Sequence, residues 1–99
     1  MARRVTTAPE AVAALRQARE WLLQKGAGPN AHARWEALRS TRKQLQTHPY
    51  LGARSTELPG RRQLVVSEHR IIYRVDPDTG ESATAGDVRI LAVFGPGQP

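Results

Sequence analysis

His69-Arg70-Ile71-Ile72-Tyr73-Arg74-Val75, followed after a polar interval by Val88-Arg89-Ile90-Leu91-Ala92-Val93-Phe94, decides the fold class of this chain. Both stretches are rich in β-branched and aromatic residues and change character every second position, so both read as strands. Gln63-Leu64-Val65-Val66-Ser67, just ahead of them, reads as a third. In 69–75, alternation sets Arg70, Ile72 and Arg74 on one face and His69, Ile71, Tyr73 and Val75 on the other. In the last strand Arg89 is expected to share a face with Leu91 and Val93, opposed by Val88, Ile90 and Ala92. Arginine is costly to bury, so the Arg70/Arg74 face is the open one. The link from Asp76 to Asp87 is long for a hairpin. It reads either as a mobile tip or as a loop whose ends lengthen the flanking strands.

Outward from this core of strands, the period changes. Arg3-Arg4-Val5-Thr6-Thr7 reads as a short edge strand. Thr7 is then expected to cap a helix, with Pro9 in its first turn and Glu10 completing a capping box. Ala11, Val12, Leu15, Ala18 and Leu22 follow at helical spacing, and Gly26 and Gly28-Pro29 stop the helix. Asn30 caps a second helix with Ala31, Trp35, Leu38 and Leu45 on one stripe, which Arg42 interrupts. Arg34, Arg39 and Lys43 form its basic side. His48-Pro49 ends it, since the residue before proline leaves the α region. A loop of ~5 residues makes the two helices an antiparallel hairpin. Pro49, Gly52, Pro59 and Gly60 punctuate the connection to the strands, and 95–99 reads as a frayed tail. The expected fold is therefore α+β in the order β-α-α-β-β-β. A helical hairpin packs on a mainly antiparallel four-stranded sheet, as one domain over residues 1–99.

Composition narrows the function classes. The chain has no cysteine, which excludes disulfides, thiolate metal sites and a cysteine nucleophile. No apolar run is long enough to span a bilayer, and none of signal-peptide length follows Arg3 and Arg4, so the expected location is the cytoplasm. The net charge is +6, and all but Lys25 and Lys43 of the fifteen basic residues are arginine. Residues 1–62 carry +8 and residues 63–99 carry −2. A basic first part calls for an acidic partner, either nucleic acid or a negatively charged protein.

Arg61 and Arg62 stand just before the first hairpin strand, so with Arg70 and Arg74 they are expected to converge on the open, concave sheet surface. Such a cluster suits phosphates or carboxylates. The plainer alternative pairs these arginines across strands with Glu68 or Asp87. Phosphate loops, HExxH motifs and nucleophile elbows are missing. His32, His48 and His69 are too dispersed for a metal site, and no cofactor is implied. His69, beside Arg70 and near Tyr73, is a candidate for acid–base work, although a strand-end histidine is more often structural. Trp21 and Trp35, one per helix, either pack the hairpin or anchor a protein contact.

Four segments in this order, His48-Pro49-Tyr50-Leu51-Gly52, Arg61 to Val66, His69 to Val75 and Ile90 to Val93, resemble the RelE/ParE superfamily of bacterial type II toxins. The resemblance implies a cytoplasmic toxin that arrests growth, serves plasmid or chromosome stabilisation, and is held in a hetero-oligomeric complex by an acidic cognate antitoxin. RelE-like members cleave mRNA on the ribosome with basic residues of the sheet and a basic or His/Tyr-containing C-terminal segment. ParE-like members instead poison DNA gyrase by protein contact. With the shared tyrosine on Tyr73, Arg70 matches a family arginine, but the RelE-type catalytic arginine of the preceding strand falls on Val65. The last strand is followed by Gly95-Pro96-Gly97-Gln98-Pro99, neither the RelE-type segment nor the His-Gly-Arg-like ending usual in ParE chains. The ParE-like reading is favoured, with Arg61, Arg70, Arg74 and Arg89 as target-binding residues. Trp21, Leu22, Arg34, Trp35, Arg39 and Lys43 are then expected to bind the antitoxin. The alternative is a ribosome-dependent mRNA endonuclease using Arg61, Arg62, Arg70 and Arg74, assisted by His69 or Tyr73. A third reading, a nucleic-acid-binding module without toxicity, rests on charge alone.

Overall fold

The computed structural model of the chain describes residues 3–96; the end of the expected frayed tail, 97–99, lies outside the described residues. Strand β1 (Val5–Thr7) leads into helices α1 (Pro9–Leu22) and α2 (Ala31–Thr47), followed by strands β2 (Ala53–Arg54), β3 (Arg62–Val66), β4 (His69–Asp76) and β5 (Asp87–Phe94). The strands form one sheet in the order β1-β5-β4-β3-β2, antiparallel except for the parallel pair β1–β5. The α+β class is that expected, and so is the β-α-α-β-β-β order apart from one added strand, which makes the sheet five-stranded and not four-stranded. The fifth strand, β2, is two residues inside the Gly- and Pro-punctuated connection, too short to show a period.

The helices form where expected but are capped differently. Pro9 opens α1, where its missing N–H removes a donor that no intrahelical acceptor would meet. The cap position is Ala8 rather than Thr7, and no capping box forms. Thr7 is still paired with Ile90 in the sheet, and the Ala8 N–H donates to the Ile90 carbonyl at 2.8 Å. Strand runs into helix without a loop. Asn30 holds the cap position of α2, but its side chain makes no cap bond. Residues 23–30 join the helices, a longer link than the ~5 residues expected.

Ala11, Ala18 and Leu22 of α1 and Leu38 and Leu45 of α2 close over Ile71, Tyr73, Val75, Val88, Ile90 and Val93. Val12, expected on this stripe, stays 44% exposed. Thr41 completes the α2 stripe, its buried hydroxyl satisfied by donating to the Ala37 carbonyl at 3.1 Å. Arg42, which interrupts that stripe, reaches out and donates from Nε to the Val5 carbonyl on the free edge of β1 at 3.2 Å.

One register shift changes a face assignment. Ile72 opposes Ala92 and Tyr73 opposes Ile90, so Leu91 is an extra residue in β5. A bulge of this kind reverses the alternation beyond it. Val93 therefore joins Val88 and Ile90 in the core, and the expected Arg89/Leu91/Val93 face does not exist. A second irregularity is the β3–β4 turn, where Ser67 and Glu68 both have left-handed φ values of 49° and 65°. For residues other than glycine this conformation costs about 1–2 kcal/mol each. Compensation comes from α2: the Ser67 hydroxyl donates to the Arg34 carbonyl at 2.7 Å, and Glu68 pairs with Arg34 at 3.4 Å.

Tyr73 fastens the long connection to the sheet. Its hydroxyl donates to the Pro49 carbonyl at 2.8 Å and accepts from the Gly52 N–H at 2.9 Å. Burial pushes its ionisation above the ordinary tyrosine range, partly offset by the bond from Gly52. Gly52 must lack a side chain, since a Cβ would meet the Gln63 carbonyl oxygen at 2.5 Å and the Tyr73 ring at 2.9 Å. Nearby, Arg62 lies over the Tyr50 ring at 4.3 Å and grips Asp78 at 3.1 and 3.3 Å. The Gly80 N–H donates to the Tyr50 hydroxyl at 2.9 Å. These bonds hold the start of the 77–86 loop against the sheet, and the flanking strands do extend to Asp76 and Asp87.

Candidate functional site

The sheet face away from the core follows from the pairing. Residues directly opposite on neighbouring strands share a face. Val65 pairs with Arg70 and Gln63 with Ile72 on one side of β4, while Arg70 pairs with Phe94, Ile72 with Ala92 and Arg74 with Arg89 on the other. Arg61, one residue before β3, continues the same alternation. Ile72, at the centre, is only 5% exposed between Gln63 and Ala92, and Arg70 and Arg74 flank it along the strand. Arginine stems cover apolar surface while their heads stay in water.

Four arginines thus gather on this face, and no ion pair forms to any of them among the described residues. Arg70 lies 5.3 Å from the centre of the Phe94 ring. Arg89 bonds to the neutral Thr6 hydroxyl at 3.3 Å. The carboxylates that the plainer alternative assigned to them are engaged elsewhere. Glu68 pairs with Arg34, and Asp87 accepts the Arg4 backbone N–H at 2.9 Å.

The other arginine and the candidate acid–base groups lie on the opposite face. Arg62 is 8% exposed and opposes Tyr73, so it does not converge with Arg61, Arg70 and Arg74. Its partner Asp78 is held below the usual carboxylate range chiefly by the hydrogen bond from the Arg62 guanidinium. Tyr73 is fully buried, with both hydroxyl bonds spent on backbone. His69 is 3% exposed, its Nδ1 lies 2.8 Å from the Ser67 carbonyl, and the Trp21 ring meets it edge-on at 5.9 Å. Alternation already separated His69 and Tyr73 from Arg70 and Arg74, whereas Arg62 was expected beside them. The burial that removes His69 and Tyr73 from proton transfer was not legible in the sequence.

The helical side presents two neighbouring clefts. One, of 270 Å³, opens between α1 and α2, with Val12, Leu15, Trp35 and Leu38 on its walls and Arg39 and Arg42 on its rim. The other, of 650 Å³, is basic and bordered by Arg4, Arg39, Arg42 and Lys43 beside β1. Arg39 is bound to Glu36 at 2.8 Å, and that hydrogen bond draws the Glu36 carboxyl down and the guanidinium up from their ordinary values. Arg4 and Arg42 were missed as members of this patch, although the break that Arg42 makes in an apolar stripe was a usable signal. Leu22, expected at a partner surface, is 2% exposed and belongs to the core. Arg34 is tied to Glu68 and lies 5.8 Å from the centre of the Trp21 ring, leaving Trp21 44% exposed. A third groove, of 490 Å³, runs along α1 past Trp21, His69 and Phe94 and was not anticipated. Among the described residues no three His, Asp or Glu side chains gather as a metal site, and no helix is long and apolar enough to cross a membrane.

The family model of the ParE toxin of the type II toxin-antitoxin system, parDE, matches residues 5–94. The fold is also that of a solved structure described as a chromosomal ParDE TA system from P. aeruginosa. The two share 20% sequence identity and a TM-score of 0.67, over 95% of this chain and 96% of that one. No curated protein matches the sequence.

Proposed function

Since the chain belongs to the ParE family of toxins from type II toxin–antitoxin systems, we propose that it acts in the cytoplasm as a growth-arresting poison of DNA gyrase, its whole length serving as one toxin domain. A cognate antitoxin with an acidic segment neutralises it in a toxin–antitoxin complex. The observation that carries the choice of target is the burial of both proton-transfer candidates, Tyr73 and His69, on the side of the sheet away from Arg61, Arg70 and Arg74. In addition, the position matching the RelE-type catalytic arginine is occupied by Val65, 63% exposed and opposite Arg70. An RNA-cleaving site needs proton transfer as well as charge stabilisation. A toxin that works by binding needs only the surface.

The antitoxin reading rests on the two helical clefts. An amphipathic acidic segment would set apolar side chains between Trp35 and Leu15 and its carboxylates against Arg39, Arg42 and Lys43. Such a segment orders as it binds.

Purified toxin added to a gyrase supercoiling reaction tests the target. Loss of supercoiled product is expected, and normal supercoiling at excess toxin would overturn the reading. Pulse labelling after induction is the cellular counterpart, with DNA synthesis expected to stop before protein synthesis. The reverse order, with codon-positioned cuts on translated mRNA, would assign the ribosome instead.

A further inference from the structure

We propose that the open sheet face is a phosphate-binding surface for duplex DNA, on which Arg61, Arg70, Arg74 and Arg89 take the sugar–phosphate backbone. The inference deepens the gyrase reading and rests on it for where the DNA is met, because gyrase works on duplex DNA.

The pairing of Arg74 with Arg89 is the starting point. Directly opposed side chains have Cβ atoms about 5 Å apart, and like charges there destabilise a sheet. Among the described residues no carboxylate forms an ion pair with either side chain, and the next pair on the face, Asp76 opposite Asp87, leaves both guanidinium groups without a direct contact. An oxyanion between the two guanidinium groups relieves the repulsion. Arginine, which forms paired parallel bonds to phosphate, supplies every cation on the face.

The clustering of arginines on the face favours nucleic acid over an acidic protein. Protein interfaces centre on apolar and aromatic anchors and are poor in charge at the middle. Here the buried Ile72 beside Ala92 is flanked by Arg70, Arg74 and Arg89, with Val65 and Phe94 at one end of the face and the Asp76–Asp87 pair at the other. Protein–DNA interfaces are more polar and far more positively charged. Spacing points the same way. Arg70 and Arg74, four residues apart on β4, lie about 13 Å apart along the strand. An extended acidic peptide offers one face only two or three side chains over that length. One strand of duplex DNA carries about four phosphates over the same distance.

The test is fluorescence anisotropy of a labelled ~20-bp duplex with the free toxin, across salt. Four phosphate contacts give a log–log salt slope of about −3.6, an affinity loss of about 150-fold between roughly 50 and 200 mM. Arg74→Ala/Arg89→Ala should lower the slope by about 1.8 and cut the salt-driven loss to roughly tenfold. Arg61→Gln/Arg70→Gln should act alike. Arg16→Ala/Arg19→Ala, with the same charge change on exposed α1 positions, should leave the slope unchanged. Equal effects of the α1 pair and the sheet pairs, or no binding at the lowest salt, would overturn the proposal. Supercoiling assays on the same samples separate the two readings. Gyrase inhibition that survives without DNA affinity sinks the DNA surface and leaves the gyrase reading standing. Sheet-dependent DNA binding without inhibition does the reverse.

Discussion

Tyr73→Phe removes one oxygen atom and tests how the sheet holds the 49–54 segment. In the native protein the hydroxyl satisfies two backbone groups, the Pro49 carbonyl and the Gly52 N–H, and both of those residues are buried. Phenylalanine fits the space but leaves both groups without a partner. Each unsatisfied buried group costs about 1–3 kcal/mol. The Gly52 carbonyl keeps its 3.4 Å bond from Arg62, so the segment is not released altogether. A net loss of about 2–4 kcal/mol follows, a large share of the roughly 5–15 kcal/mol typical of a domain. For a chain of this size the melting temperature should fall by roughly 10–25 °C. Urea unfolding followed by the fluorescence of Trp21 and Trp35 measures it, with the m-value expected to stay constant. Tyr50→Phe is the comparison. Its hydroxyl serves Gly80 in an exposed loop, and its loss should cost about 1 kcal/mol. Alkaline titration adds an independent check. Burial raises the Tyr73 pKa above its unfolded value, so its contribution is complete below the ordinary tyrosine range and is lost as pH rises through the folded value. Wild type should therefore lose stability in strong alkali by a route that Tyr73→Phe lacks. A loss under about 0.5 kcal/mol in the phenylalanine variant, with no change in m, would refute the account.

Asp78→Asn should cost about 1–2 kcal/mol at neutral pH, because Arg62 loses its charged partner. The Asp78 pKa is lowered in the folded state, so its stabilisation is present above the usual carboxylate range and lost as pH falls through the folded value. The stabilities of wild type and variant, measured by urea midpoints across pH, should converge in acid; a constant gap would count against the assignment. Gly52→Ala forces a methyl group into the Gln63 carbonyl and should destabilise by about 1–3 kcal/mol, read by thermal unfolding; a neutral outcome would mean the turn yields freely. Leu22→Ala should cost about 2–5 kcal/mol as a core truncation, whereas Trp21→Ala, at a half-exposed position, should cost much less; comparable stability losses in urea titrations would contradict the different burial of the two side chains. Arg39→Glu/Lys43→Glu should slow antitoxin association and flatten its salt dependence while changing the unfolding free energy by no more than about 0.5 kcal/mol, as stopped-flow and urea titrations would show.

Periodicity and punctuation determined the α+β class and the order of every element except β2, while the family resemblance rested on four segments between His48 and Val93. Strand alternation around Tyr73 also placed Arg70 and Arg74 together on the open face without any structure. These are local properties: side-chain direction follows from a period of two, and helix ends follow from Pro9, Pro49 and the glycines. What required the tertiary structure was decided by contacts distant in sequence. The extra Leu91 moved Val93 into the core, because register is a property of two strands and not of one. Thr7 stayed in the sheet instead of capping α1, because Ile90, far along the chain, supplied its partner. Arg62 left the arginine cluster because Asp78 and Tyr50 came within reach only after the loop folded back. His69 and Tyr73 became framework, since burial depends on what α1 and the 49–54 segment lay over them. The sequence alone determined which side chains could meet; the packed structure decided which of them were already taken, and so left four arginines on the open face with no ion-pair partner among the described residues.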